Sequence, residues 1–323
     1  MAPFYDIIFY VLGYKERFNA LVFLLEKTIL MKKPFKVFFS VIAAGFFLAS
    51  TGYPQEKVVE KPTVYFGLIP LYTPQLMYEK FQPLMDYLSS NTPYKFKMRL
   101  TKDYKGIVSL LQEGKIDIAF MGGASYVAAR DKIEPIPILK SINRDGKPFY
   151  RSVIITREDK GINNISELKG KSFAFASRWS SSGAVVPLYH LYSNGIGLKG
   201  LSKYFHLRYH DSVVREVLKG NYDAGAVIDT IAYSYKDKGL KFIFISEPIT
   251  ELTIVARKGA SHALVASVKK ALLGINPYDP DIKEWGEEIR YGFTGASDSD
   301  FDSIRNMIGY LKGQRVYLSD DED

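Results

Sequence analysis

The 323-residue chain has no cysteine, four histidines and two tryptophans. The absent thiol excludes a disulfide framework, a zinc–thiolate site, an iron–sulfur cluster and a cysteine nucleophile. It equally excludes a lipid anchor built on cysteine. His190, His206, His210 and His262 are too few to suggest a multi-histidine metal site. No G-x-S-x-G, P-loop or H-E-x-x-H pattern occurs. The longest uncharged, mostly apolar run near the start, Val37 to Ser50, falls short of the roughly twenty residues of a membrane span. What is present is ordinary for a globular protein, 47% hydrophobic and 24% charged, with a net charge of +8. A basic balance of this kind suits an anionic partner: nucleic acid, an acidic membrane surface or a small anion.

Part of that charge is an address. Lys32, Lys33 and Lys36 precede the apolar run, and small residues follow it at Ala49 to Gly52. That layout predicts a secretory signal peptide or N-terminal anchor over residues 31–54. Residues 1–30 then read as an over-extended N-terminus, with Met31 as the natural start. Residues 1–52 carry six basic and three acidic side chains, so the remainder has a net charge of +5. Asp320 to Asp323 form an acidic end, and residues 314–323 read as a solvated tail. An exported chain fits poorly with a nucleic-acid partner.

From residue 62 onward, strands alternate with helices. Thr63 to Ile69 is β-branched and aromatic, and Pro74 to Ser89 has apolar residues spaced by three and four behind Thr73. Strands follow at 96–100, 116–121, 136–141, 149–156, 204–209, 222–228 and 240–246, with another within 165–175. Helices are expected behind Asp103, Ala124, Ser182, Asp211 and Asp229, and at 261–273 and 300–311. The pattern predicts an α/β protein with parallel sheets flanked by helices. Strand–helix–strand–helix–strand occurs twice, at 63–121 and 171–228, which predicts two related lobes. The extended pair across 136–156 predicts a crossing between them.

Five places carry candidate chemistry. Ser180-Ser181-Ser182-Gly183 precedes a helix, where hydroxyls and free N–H groups can cradle an oxyanion; a plain capped loop reads equally well. His210-Asp211 lies at a strand end, the edge where ligands bind in open α/β sheets, or Asp211 simply caps a helix. Tyr104 begins a helix and points either to a cleft or to solvent. Met121-Gly122-Gly123-Ala124-Ser125 lets backbone approach a ligand. Asp229 follows a strand and reads as a ligand contact or a cap. Ser181, His210 and Asp229 also permit a hydrolase triad on paper.

In order and spacing, these blocks resemble the periplasmic phosphonate/phosphite/phosphate-binding proteins of ABC importers. The blocks are Asp103-Tyr104-Lys105-Gly106-Ile107-Val108, Ile116-Asp117-Ile118-Ala119-Phe120 with Gly122 to Ser125, Tyr150-Arg151-Ser152-Val153-Ile154-Ile155, and Leu168-Lys169-Gly170-Lys171. The Ser180 to Gly183 loop with Pro187, His210-Asp211 and Asp223-Ala224-Gly225-Ala226-Val227 complete the set. The resemblance spans nearly all of residues 62–312. It implies a two-lobed type II periplasmic-binding fold, with residues 62–148 and 250–313 as one lobe and 149–249 as the other. It implies an extracytoplasmic, monomeric solute-binding protein without a cofactor or catalytic activity. Such a protein captures a small anionic ligand and delivers it to an inner-membrane permease. A sensor that reports to a membrane kinase is the alternative. The implied ligand-binding residues are Tyr104, Met121, Ser125, Ser180, Ser181, Ser182, Gly183, His210 and Asp229. Glu251 matches a second acidic position. Met121 stands where aminophosphonate binders carry a tyrosine, which shifts the expectation toward a bare phosphorus oxyanion.

Overall fold

A computed structural model describes residues 60–316. The segments expected to be an N-terminal extension and a signal peptide, and the acidic residues 320–323, lie outside the described residues. The first half begins with β1 (Thr63–Leu68), α1 (Pro74–Asn91), β2 (Lys95–Leu100), α2 (Tyr104–Gln112), β3 (Ile118–Met121), α3 (Gly123–Ile133) and β4 (Ile136–Ser141). Pro74 sits in the first turn of α1, where its missing N–H is no loss. The helix buries Met77, Phe81, Leu84, Met85 and Leu88. Thr73 precedes it, but its side chain makes no capping bond. Asp103 does cap α2, accepting from Gly106 N at 2.8 Å.

The chain then crosses through β5 (Phe149–Tyr150) into β6 (Ser152–Arg157), β7 (Ser172–Phe175), a π-turn at Ser181–Val185, α4 (Val186–Ser193), β8 (Lys203–His206), α5 (His210–Leu218), β9 (Ala224–Ile228), α6 (Asp229–Ser234) and β10 (Leu240–Ile245). It returns through β11 (Ile249–Thr250) to β12 (Thr253–Ala256), α7 (His262–Leu273), β13 (Phe293–Gly295) and α8 (Asp302–Gly313).

Two sheets result. One runs β13-β4-β12-β3-β1-β2 and the other β10-β6-β9-β7-β8, and the β5–β11 ribbon joins the two halves. In the first, β1 is parallel to β2 and β3, and β12 is antiparallel to β3. In the second, β7 is parallel to β8 and β9, and β6 is antiparallel to β9. The twofold pattern in the sequence is thus a repeat of topology: a parallel triplet, then one antiparallel strand delivered by the crossing. Each sheet is packed with apolar side chains, among them Phe66, Phe120 and Ile254 in the first and Phe173, Phe175 and Val227 in the second.

Several local expectations change. The strand expected at 149–156 breaks at Arg151, because Tyr150 pairs with Ile249 in the ribbon and Ser152 pairs with Ile228 in the second sheet. Asp211 does not cap α5. The helix starts at His210, two residues before the start an Asp211 cap would set, and buried Asp211 pairs with Arg215 one turn on, at 2.5 Å. The helix expected from Ser182 opens with the π-turn. The C-terminal segment touches both halves: Phe301 stacks on Tyr126 at 3.9 Å, and Tyr310 of α8 meets Tyr189 of α4 at 5.2 Å. Among the described residues, no helix is long and apolar enough to cross a membrane.

Candidate functional site

A small cavity lies where the C-terminal ends of the parallel strands of both sheets meet. Its polar wall is Tyr104, Tyr150, Ser180, Ser181, Ser182 and His210; Ile69, Leu71, Ile228 and Leu252 supply the apolar wall, with Gly122 between. The enclosed space is small, far below the roughly 300–1,000 Å3 of clefts that take drug-sized ligands.

The lining comes largely from helix starts. Tyr104 opens α2, Gly122 precedes α3, Ser181 opens the π-turn leading into α4, and His210 opens α5. The positive ends of these helices make the cavity favourable to negative charge. Among the described residues, no Lys, Arg, Asp or Glu lines it.

Hydrogen bonds fix the donors. Ile228 N donates to His210 Nδ1 at 3.2 Å, which places the ring proton on Nε2. Nε2 therefore donates to Ser180 Oγ, 3.1 Å away. Burial holds His210 down to about 3, so the ring is neutral at ordinary pH. Ser180 Oγ also accepts from Gly183 N at 3.0 Å. Its two acceptor positions are filled, and its own proton remains to be donated. Ser181 Oγ accepts from Ala124 N at 2.8 Å, across from the other half. Tyr104 Oη is buried without a well-formed hydrogen bond, with the Ser180 hydroxyl close enough to act on it. Burial pushes the Tyr104 and Tyr150 phenols well above their usual range, so both are neutral donors.

Further bonds join the halves around the cavity. Ser125 Oγ donates to Trp179 O at 3.0 Å, and His210 N donates to Leu71 O at 3.2 Å. The cleft is closed.

Of the residues expected from sequence, Tyr104, Ser180, Ser181, Ser182 and His210 converge on the cavity. Gly183 packs directly behind the serines: a Cβ there would stand 2.3 Å from Ala176 Cβ and 2.9 Å from His210 Cε1. Met121 is fully buried in β3 and Ser125 sits in α3; neither lines the cavity, although Gly122 between them does. Asp229 is also off the wall, one residue beyond Ile228. Its carboxylate accepts from Arg151 N at 2.9 Å and Thr230 N at 2.8 Å, and burial pushes it up to about 6. The paper triad does not assemble: His210 contacts Ser180 rather than Ser181, and its Nδ1 accepts a backbone N–H instead of donating to Asp229. Sequence reasoning missed Tyr150. It looked like one residue of a long strand, and only its pairing with Ile249 turns it to the cavity edge.

Residues 66–301 match the model of the family described as ABC transporter, phosphonate, periplasmic substrate-binding protein. The phosphate-import protein PhnD of Mycolicibacterium smegmatis is 25% identical over 287 residues, covering 79% of this chain and 88% of that protein. The phosphonates-binding periplasmic protein of Escherichia coli is 27% identical over 283 residues, covering 84% of this chain and 83% of that one. The structure of PhnD1 from Prochlorococcus marinus with methylphosphonate shares the fold, with a TM-score of 0.71 at 20% identity, over 78% of this chain and 99% of that chain. With hydroxyls and helix starts gathered between two sheets of matching topology, the chain belongs to the family of periplasmic substrate-binding proteins of phosphonate ABC transporters.

Proposed function

We propose that this protein captures a phosphorus oxyanion, a phosphonate, phosphite or phosphate, in the cavity between its lobes and hands it to an inner-membrane permease. The lobes are residues 62–148 with 250–313, and 149–249, hinged at the β5–β11 ribbon. The protein acts as an exported monomer that binds and releases its ligand unchanged, and residues 31–54 direct its export. Ser180, Ser181, Ser182, Tyr104 and Tyr150 donate to the phosphoryl oxygens, and neutral His210 holds Ser180 in its donating orientation. Ser125 and Gly183 position this loop, and Met121 and Asp229 stand in the next layer.

The observation that carries this reading is Tyr104 Oη, a buried hydroxyl without a well-formed hydrogen bond at the wall of a cavity rich in donors. A buried unsatisfied hydroxyl costs about 1–3 kcal/mol unless something arrives to accept from it. Tyr104→Phe is therefore expected to leave ligand-free stability unchanged or raised, while weakening ligand binding by about tenfold or more. Calorimetry of residues 55–323 with phosphate, phosphite, methylphosphonate, 2-aminoethylphosphonate and sulfate, beside thermal melts, checks both. No heat with any phosphorus anion would remove the proposed function.

A further inference from the structure

We propose that the open edge of the second sheet, strand β8 with the turns beside it, is a docking surface for an anionic lipid bilayer. The inference is independent of which ligand the cavity takes.

β8 is the last strand of its sheet and pairs with β7 on one side. Among the described residues, no strand pairs with its outer edge. Two aromatic side chains stand there. Phe205 is 57% exposed and Tyr204 43% exposed. Phe205 lies opposite Ala174 of β7, whose methyl is too small to cover the ring. Tyr204 points to the other face, by the alternation of the strand, where its ring meets Phe175 edge-on at 6.3 Å. The edge therefore carries one ring on each side.

Basic side chains surround these rings. Ser202 N donates to Lys171 O at 3.0 Å, and Gly170 N to Gly200 O at 2.7 Å. These bonds bring Lys169 and Lys171 beside Lys199 and Lys203, and Arg208 follows β8. All five are exposed, and among the described residues none of them pairs with a carboxylate. Lys203 Nζ and the Arg208 guanidinium lie over the rings of Tyr222 and Tyr209, at 4.8 and 5.8 Å. The neighbouring acids are engaged elsewhere: Asp223 with Lys160, Asp211 with Arg215 and Glu216 with Lys219. Glu167 is held by N–H groups of Asn163 and Asn164.

Lysines on an open strand protect it from pairing with other chains, but that purpose does not call for exposed aromatics. The open edge of the first sheet, β2, shows the difference. There Lys95 and Lys97 are exposed while Phe96 between them is buried. Rings set among basic groups fit the headgroup layer of a bilayer, where the ring bodies enter and the cations meet phosphates. A cluster of about four to eight basic side chains is enough to hold a surface to anionic lipid. The unpaired N–H and C=O groups of the strand stay hydrated at that depth. A soluble polyanion would engage the lysines and leave both rings in water.

The test is co-sedimentation with vesicles of phosphatidylcholine, with and without phosphatidylglycerol. Residues 60–316 contain both sheets and their cores, so residues 55–323 are used, which keeps the apolar run Val37 to Ser50 out of the assay. Binding is expected with phosphatidylglycerol vesicles, about tenfold or more tighter than with phosphatidylcholine alone, and weakened by salt. Lys199→Glu, Lys203→Glu and Arg208→Glu together should reduce it about tenfold or more, and Phe205→Ser should reduce it severalfold. Lys95→Glu, Lys97→Glu and Lys102→Glu together make the same change in net charge at the other edge and should leave it unchanged. Thermal melts establish that each variant is folded. Equal binding to neutral and anionic vesicles would overturn the proposal, as would wild-type binding by the β8 variants or an equal loss in the β2 variant. Self-association without lipid that Phe205→Ser removes would also overturn it, by assigning the edge to a second copy of the chain.

Discussion

Replacing Gly183 with alanine is expected to abolish capture, weakening affinity by about a hundredfold or more, and to lower the melting temperature by several degrees. The added methyl would lie 2.3 Å from Ala176 Cβ, 2.9 Å from His210 Cε1 and 3.1 Å from Ser180 Oγ. None of these atoms is the loose end of a long side chain. Ala176 is tied to the same residue by its own N–H, which donates to Gly183 O at 2.9 Å. The π-turn must therefore move away from the end of β7, carrying Ser180, Ser181 and Ser182 with it. Overpacking of this kind costs about 1–3 kcal/mol, and displacing several donors together costs more in binding than removing one. Gly309→Ala is the control, since a methyl there meets nothing within 4 Å. Calorimetry and thermal melts of both variants decide the matter. A folded Gly183→Ala protein with wild-type affinity would show that the turn does not set the site.

His210→Leu is the second large effect. The ring links two parts of the site, Ile228 N on β9 and Ser180 on the serine loop, while the backbone N–H of the same residue, which leucine keeps, donates to the Leu71 carbonyl of the other half. Leucine leaves the first bond unmade, at about 1–3 kcal/mol for a buried unsatisfied N–H. It also frees the Ser180 hydroxyl to turn away from the cavity. Affinity is expected to fall by about tenfold or more, with a measurable loss of stability. Because burial holds His210 down to about 3, its contribution to binding stays constant from about pH 5 to about pH 8. The wild-type and His210→Leu affinity profiles should therefore run parallel over that range. A gap that closes with an inflection near the usual histidine value of about 6.5 would mean that the ring is charged in the ligand-free protein.

Much of this site was legible because its residues announce themselves locally. Asp103 ahead of Tyr104, and three serines ahead of a glycine, are helix-start patterns, and helix starts are where the fold places its donors. His210 could be read from its place after a strand. What stayed hidden depends on distant partners. Arg151 breaks a strand because Tyr150 and Ser152 pair with segments about a hundred and about eighty residues away. Asp211 reads as a cap, but α5 begins at His210 and buries it inside the first turn. Met121 and Asp229 lie within one residue of the wall and still face elsewhere, a distinction set by strand pleat and backbone bonding. The short strand β13 gave no periodic signal, since three residues form no pattern.

The place of β12 in the first sheet bears on how the chain assembles. It lies between β3 and β4, pairing with both, yet it is made more than a hundred residues after β4. A chain emerging from its N-terminus thus presents β3 and β4 with a gap between them until the whole second lobe has appeared. The second lobe's sheet is drawn from one continuous stretch, β6 to β10, and can close as soon as that stretch is out. The later lobe in sequence is the first that can finish, and the earlier one waits with open strand edges, the state most prone to aggregation. For an exported chain, that interval is when a chaperone has most to protect.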